Sequence, residues 1–312
     1  MVRLCTTFLI PWCSKKIVVI QQAHLDNGYN KSYNEENGIK RGGREMSKDI
    51  VFCGGGNMAE NIIKGLLYKK VVLPENVTVN ELLPARCEYL SKTYGITAVT
   101  NADDAIKRAG LVIIAVNPLQ VPPVTKVLNP LINEKTIVLS IAAGIPIKTL
   151  ENQLGSDRKI VRVVPNTLIQ AGSGYSAVCM NGCCDDQDKS LITHVLDALG
   201  QIMYLKEDLF NSFSGFSNVG PLWLYKMVEA LTDAGVYVGF SRTDARNMVI
   251  KNMLGTAVVL EETGEHPAVK VDQMTSPGGV SIEALKVLQQ GNFSSALMNS
   301  VIAGIDKANS IE

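Results

Sequence analysis

The chain has 312 residues, with 30 basic and 30 acidic side chains and a formal net charge of zero. That length allows a large core and two domains. The charge balance gives nucleic acid or an anionic membrane no electrostatic hold, and no apolar run approaches the roughly 18–20 residues that span a bilayer.

Residues 1–47 differ from everything after them. Met1–Ile20 is mildly basic and apolar, and Asp26–Arg44 is rich in Asn, Gly, Lys and Glu without periodicity. An extension of that composition has too little apolar surface to fold alone and is expected to be disordered. Arg3, Lys15 and Lys16 flank short apolar runs without acids, which leaves organellar targeting open beside a cytoplasmic location. A compact domain would begin near Met46, and the extension is expected to be dispensable for activity.

At Val51-Phe52-Cys53 an apolar stub enters the turn Gly54-Gly55-Gly56, followed by a helix whose apolar face is Ile62, Ile63, Leu66 and Leu67. Gly54-x-Gly56-x-x-Ala59 is a dinucleotide fingerprint. The first glycine makes the turn, the second admits the pyrophosphate, and the small third residue lets helix pack on strand. Short strands are expected at Asn76–Asn80 and Ile96–Thr100, with helices at Pro84–Tyr94 and Ala102–Arg108. Leu111–Val116, Thr136–Ala143 and Lys159–Val164 are apolar runs, as in strands covered on both faces, and Ile147–Leu154 is a helix between the last two. Tyr175–Cys179 and Gln201–Leu205 close the sheet around a helix marked by Leu191, Ile192, Val195, Leu196 and Leu199. The alternation predicts a doubly wound parallel sheet of the Rossmann type over residues 48–206.

From Glu207 to the end only helical periodicity remains, over Pro221–Tyr237, Thr243–Thr263, Ser281–Gln290 and Ser294–Ser310. Residues 207–312 therefore form an all-helical C-terminal domain. Ala257, Val258 and Leu260 make one helix apolar on more than one side, which points to subunit packing or to the core of a larger domain.

The seven cysteines are an odd set without a C-x-x-C pair, and the three histidines (His24, His194, His266) are dispersed; no metal is expected. The ligand crevice of such a sheet lies at the carboxyl ends of its strands. Asn80-Glu81, Val116-Asn117-Pro118, Ala142-Ala143-Gly144 and Pro165-Asn166-Thr167 follow those ends, although each alone also reads as ordinary turn chemistry. Glu81 stands about 25 residues beyond Gly56, near the position of an acid that accepts ribose hydroxyls. In the second half, Asp272-Gln273-Met274-Thr275-Ser276-Pro277-Gly278-Gly279-Val280-Ser281 is a rigid turn into a helix. N–H groups of Gly278, Gly279 and Val280 would make a nest for a carboxylate, with hydroxyls of Thr275, Ser276 and Ser281 around it. The plain alternative is that Ser281 caps its helix.

These segments resemble pyrroline-5-carboxylate reductase. The resemblance rests on Gly54–Ala59, Ala142-Ala143-Gly144-Ile145, Val164-Pro165-Asn166-Thr167, Glu229–Val236, Glu262–Pro267 and above all Asp272–Gly279, and it runs from about residue 48 to the end. It implies reduction of the cyclic imine Δ1-pyrroline-5-carboxylate to L-proline with NADPH or NADH. It also implies a helical domain that interlocks into dimers, gathered in decamers of five dimers. Carried over by position, the cofactor contacts are Gly54, Gly55, Gly56, Asn57, Met58, Glu81, Asn101, Ala115, Val116, Asn117, Pro118, Ala142, Ala143 and Gln273. The substrate contacts are Thr275, Ser276, Gly278, Gly279, Val280 and Ser281, with the Ser281 hydroxyl as the catalytic group beside the ring nitrogen. Tyr175 and His266 read as structural.

Four positions depart from the family pattern. Asn117 stands where a lysine is usual, Leu168 where a second proline is usual, and Asn218–Trp223 is a bulkier helix start. Ser281 replaces the common threonine and keeps its hydroxyl. Rival readings are a related imine reductase or β-hydroxyacid dehydrogenase, for which neither Lys226 nor Lys251 stands in a catalytic motif, and a cofactor-sensing protein without turnover.

Overall fold

The structure is a computed structural model and describes residues 49–310. The expectations for residues 1–47 lie outside them. An eight-stranded sheet has the order β3-β2-β1-β4-β5-β6-β7-β8. Its strands are β1 (Ile50–Cys53), β2 (Val77–Asn80), β3 (Thr97–Val99), β4 (Leu111–Ile114), β5 (Ile137–Ser140), β6 (Lys159–Pro165), β7 (Gly174–Met180) and β8 (Gly200–Tyr204). Strands β1 to β6 pair in parallel through β3-β2-β1-β4-β5-β6, the doubly wound Rossmann arrangement that the alternation predicts.

One feature differs from a wholly parallel sheet: β7 runs antiparallel to β6, and β8 is parallel to β7. The cause is chain length. β6 and β7 are joined by a short 3-10 turn, Thr167–Ala171, whereas a parallel crossover needs a dozen or more residues. The helix α6 (Asp186–Asp197) then supplies a true crossover between β7 and β8.

Helices cover both faces. On one side Ile50, Phe52, Leu111 and Ile113 meet Ile62, Ile63 and Leu66 of α1 (Asn57–Tyr68), Leu90 of α2 (Pro84–Tyr94), and Ile192 and Val195 of α6. On the other, Val51, Val112, Ile114 and Val138 meet Ile106 of α3 (Asp103–Arg108), Val121 and Leu128 of α4 (Val121–Leu128), and Leu150 and Leu154 of α5 (Ile147–Leu154). Alternate strand residues thus serve opposite cores, the period-two geometry of a pleated strand.

Past Glu207 there is no strand among the described residues. A one-turn helix α7 (Phe210–Phe213) and a π-helical turn, Ser214–Asn218, lead into α8 (Gly220–Tyr237). Then come α9 (Arg242–Thr263), α10 (Pro267–Met274), α11 (Val280–Gln290) and α12 (Phe293–Asn309). The 22-residue α9 buries only Ala245, and α10, α11 and α12 bury nothing. Leu222, Tyr225 and Leu231 of α8 and Ile250 and Val259 of α9 lie exposed. Within one protomer, then, α9 is not a core helix, and Met248, Ile250, Leu254 and Val259 stay exposed along it.

Candidate functional site

The register aligns the strand ends. Cys53 pairs with Asn80 on one side and Ile114 on the other, and Ile114 pairs with Ser140. The residues just beyond therefore line one crevice: Gly54, Glu81, Ala115 and Ile141, with Asn117, Ala142 and Ala143 following. Main-chain bonds continue past the strands, from Gly54 N–H to Asn80 O at 2.9 Å and from Ala115 N–H to Cys53 O at 2.9 Å.

Two glycines of the fingerprint do different work. Gly54 has φ +99°, and a Cβ there would lie 2.6 Å from the Ala115 carbonyl oxygen. The third glycine, Gly56, has open space around it, with no atom within 4 Å of a built Cβ. It is the N-cap of α1 and no side chain caps the helix, so the first-turn N–H groups of Asn57 and Met58, next to that space, are left without an intrahelical partner. The amide oxygen of Asn80, at the end of β2, is buried without a hydrogen-bond partner among the described residues. An uncapped helix start, an empty cradle and an orphaned amide fit a dinucleotide.

Glu81 braces the turn. Its carboxylate accepts Gly55 N–H at 2.8 Å and Leu83 N–H at 3.0 Å. Arg86 Nε donates to Gly55 O at 2.7 Å, and its Nη2 meets Glu60 at 2.6 Å. Glu60 also receives the hydroxyls of Tyr94 (2.7 Å) and Tyr89 (3.0 Å). Burial alone would raise the Glu60 carboxyl, but these hydrogen bonds and the guanidinium outweigh it and hold the group below the usual range. Tyr94 moves up, through burial, then its hydrogen bond to Glu60 and the Glu60 charge. Cys53 is pushed up to about 12 by burial, so it stays a neutral thiol and is no nucleophile.

The remaining crevice positions have the small or polar surface expected of them. Ala142 is buried and Ala143 exposed, and Gly144 (φ +69°) has open space. Asn117 and Pro118 are exposed. Val116 is half-buried, packed against the Gly54 turn. Asn101 turns its Oδ1 to Asp103 N–H at 2.9 Å, leaving its amide nitrogen outward.

The second-half loop departs from its sequence reading in three ways. Residues Pro267–Met274 form α10, which sequence reading missed; His266 caps it through Nδ1 to Ala268 N–H at 3.2 Å. The Gly279 N–H is bonded to Ser276 O at 3.0 Å, so it is not a free member of a nest. The N-cap of α11 is Gly279, without any side-chain cap bond, so Ser281 is not a cap. It stands inside the first turn, exposed, and its hydroxyl makes no hydrogen bond among the described residues. Thr275 sends its hydroxyl back to Val271 O at 3.1 Å, which commits its proton. Gly278 takes φ +67°, and Gln273, Ser276 and Val280 are exposed. No hydrogen bond or ion pair among the described residues ties this loop to the strand-end crevice.

Sequence reading also missed an ion pair between a buried arginine and a half-buried glutamate where the sheet meets the helical segment. Arg162 on β6 lies within 2.9 Å of Glu207, whose same oxygen accepts Ile147 N–H at 2.8 Å, and its guanidinium lies 4.8 Å from the Phe210 ring centre. A charge inside the apolar run 159–164 was the available signal. Asn166 is likewise buried, holding Leu168 N–H and Tyr175 N–H on Oδ1 and giving Nδ2 to Ser217.

Comparison with known proteins accords with this geometry. The family model for pyrroline-5-carboxylate reductase dimerisation matches residues 207–311, and that for NADP oxidoreductase, coenzyme F420-dependent, matches residues 49–144. A pyrroline-5-carboxylate reductase of Glycine max is 32% identical over 84% of this chain and 95% of its own length. The structure of a pyrroline-5-carboxylate reductase from Coxiella burnetii superimposes with TM-score 0.80 at 28% identity, covering 85% of this chain and 99% of that one. The Plasmodium falciparum enzyme with NADP bound gives 0.77 at 25% identity, covering 86% and 99%. A glycine turn shaped for a dinucleotide, a helical segment that leaves its apolar faces open, and relatives matched over nearly their whole length agree: the chain belongs to the pyrroline-5-carboxylate reductase family.

Proposed function

We propose that the chain reduces Δ1-pyrroline-5-carboxylate to L-proline, the last step of proline biosynthesis, with NADH or NADPH. The observation that carries this reading is the open space over Gly56 at an uncapped helix start, in a chain of this family. We assign residues 48–206 to cofactor binding and 207–312 to dimerisation and substrate binding.

The nicotinamide dinucleotide supplies the hydride that reaches the imine carbon. The residues we assign to hold it are Gly54 to Met58, Glu81, Asn101, Ala115 to Pro118, Ala142, Ala143 and Gln273. Small side chains at Ala142 and Ala143 leave backbone open to a flat ring. The substrate carboxylate is assigned to the start of α11, where the N–H groups of Val280 and Ser281 have no intrahelical partner and the helix dipole favours an anion. Gly278 and Ser276 shape that turn, and Thr275 presents an acceptor oxygen. Fixing the carboxylate orients the imine, and such positioning supplies much of the acceleration. The exposed Ser281 hydroxyl is free to hydrogen-bond the ring nitrogen and steady its proton. That proton enters with a protonated imine or through water.

The exposed faces of α8 and α9 support a homo-oligomer. A dimer is the minimum that covers them, and the family resemblance supports a decamer of five dimers, which sedimentation velocity would distinguish. No helix among the described residues is long and apolar enough to cross a membrane. The test of the reaction is NAD(P)H oxidation on addition of Δ1-pyrroline-5-carboxylate, with proline measured as product. Binding of cofactor without turnover would leave a sensor in place of a reductase.

A further inference from the structure

We propose that this chain selects NADH over NADPH, with Glu81 and the turn after it as the selecting element. The proposal rests on the dinucleotide site assigned above and names its preference. The two cofactors differ by one phosphate on the adenine ribose. An acid just past the second strand accepts the ribose hydroxyls of NADH, whereas NADPH calls for a cation there.

Glu81 is held in place as that acid. It follows β2 directly, and each carboxylate oxygen is fixed by a main-chain N–H, from Gly55 and from Leu83. Swinging the charge aside to admit a phosphate would break both bonds, one of which supports the glycine turn itself. Each oxygen keeps a lone pair for a ribose hydroxyl.

The turn has few donors left for a phosphate. Glu81 N–H goes to Val99 O at 3.0 Å, Leu83 N–H to Glu81, and Arg86 and Cys87 N–H to Leu83 O at 2.9 and 3.1 Å. Pro84 has no N–H. Only Leu82 and Ala85 remain.

The nearby cation is committed too. Arg86 is the sole Lys or Arg between residues 71 and 91. Its Nε is on Gly55 O, its Nη2 on Glu60, and its guanidinium lies 5.0 Å from the centre of the Tyr89 ring. Reaching a phosphate would leave Glu60 charged without its cation and the Gly55 carbonyl without its donor. Beyond β3 the next charges are the acids Asp103 and Asp104, not a cation, and the first basic residue there, Lys107, is paired with Asp104 at 3.4 Å.

Equilibrium titration of the full chain with NADH and with NADPH, read by nicotinamide fluorescence in the absence of substrate, tests this. NADH is expected to bind roughly ten- to a hundredfold more tightly, the effect of one opposed charge. Glu81→Gln keeps an oxygen for Gly55 N–H and should cut that ratio at least about fivefold, by strengthening NADPH. Leu82→Arg places a cation at an exposed site and should strengthen NADPH while leaving NADH within about twofold. Equal binding of the two cofactors, or a ratio that neither substitution moves, would overturn the selectivity alone. Failure of both cofactors to bind would overturn the dinucleotide site, and the proposal with it.

Discussion

Replacing Gly54 and Gly56 by alanine separates folding from binding within one turn. At Gly54 the backbone sits at φ +99°, and the added methyl would lie 2.6 Å from Ala115 O and 2.8 Å from Val116 Cγ1. The left-handed conformation costs about 1–2 kcal/mol for a residue with a Cβ. Forcing the end of β4 aside costs about 1–3 more. A sum near 3 kcal/mol lowers Tm by roughly 6–12 °C for a domain of this size. At Gly56 the φ is −69° and no atom lies within 4 Å of the added methyl. Alanine is a poorer N-cap than glycine but restricts the unfolded chain, and the two effects nearly cancel, to within about 1 kcal/mol. That methyl instead fills the space assigned to pyrophosphate and should weaken NADH binding at least about tenfold, or 1.4 kcal/mol. The assays are thermal unfolding by circular dichroism at fixed protein concentration, since subunit association shifts Tm, and fluorescence titration with NADH. A Gly56→Ala protein that binds normally, or a Gly54→Ala protein as stable as the parent, would refute the division.

Three further outcomes are expected. Ser281→Ala should lower kcat roughly ten- to a thousandfold and leave Tm unchanged, because the hydroxyl caps nothing; Ser281→Thr should restore the rate, and an unchanged kcat in the alanine variant would remove Ser281 from the chemistry. Glu207→Ala takes the carboxylate from the buried Arg162 and the acceptor from Ile147 N–H, and should destabilise by about 2–4 kcal/mol in urea, with Glu207→Gln costing less than half as much; equal stability of all three proteins would show the pair to be idle. The Cys53 thiol stays protonated up to about pH 12 in the fold, against an ordinary value of 9.0, so its contribution is complete below pH 9 and is lost as pH rises toward 12, by up to about 1.4 kcal/mol per unit. Unfolding curves of wild type and Cys53→Ala across that window should converge as pH rises, and parallel curves would disprove the assignment.

The parallel sheet was legible because a strand covered on both faces must be largely apolar, and Leu111–Ile114 and Ile137–Leu139 are. The reversal at β7 was not, since direction depends on the length of the link Asn166–Ser173 and not on either strand's residues. Helix α4 was left unassigned from the sequence: Pro122 and Pro123 stand in its first turn, the one place in a helix that tolerates proline. The fingerprint was legible because Gly54 needs a conformation other residues avoid. The start of α11 differs by one residue and its cap by two from the serine-cap alternative: the N-cap is Gly279 and not Ser281, and the Gly279 N–H closes on Ser276 O, so Gly279 lost its nest role while the Ser281 hydroxyl is left uncommitted. The Glu60–Arg86–Tyr94 network was invisible, since Glu60 lies 26 or more positions from either partner and no local pattern unites them.

That network bears on how this turn can evolve. Glu60 places a negative charge in the first turn of α1, the end that is to receive pyrophosphate. Left alone it would oppose the phosphates; with Arg86 and two tyrosine hydroxyls around it, its charge is directed away and screened. The same Arg86 supports Gly55 O while Glu81 supports Gly55 N–H, so both main-chain groups of the middle glycine are satisfied from the β2–α2 segment. A change of cofactor preference made by freeing Arg86 would therefore disturb the phosphate end as well. An added cation at Leu82 disturbs neither, because that side chain is 77% exposed and holds nothing. The cheaper route to NADPH thus runs through the exposed side of the turn, and Leu82→Arg should gain NADPH affinity with less loss of stability than any substitution of Arg86.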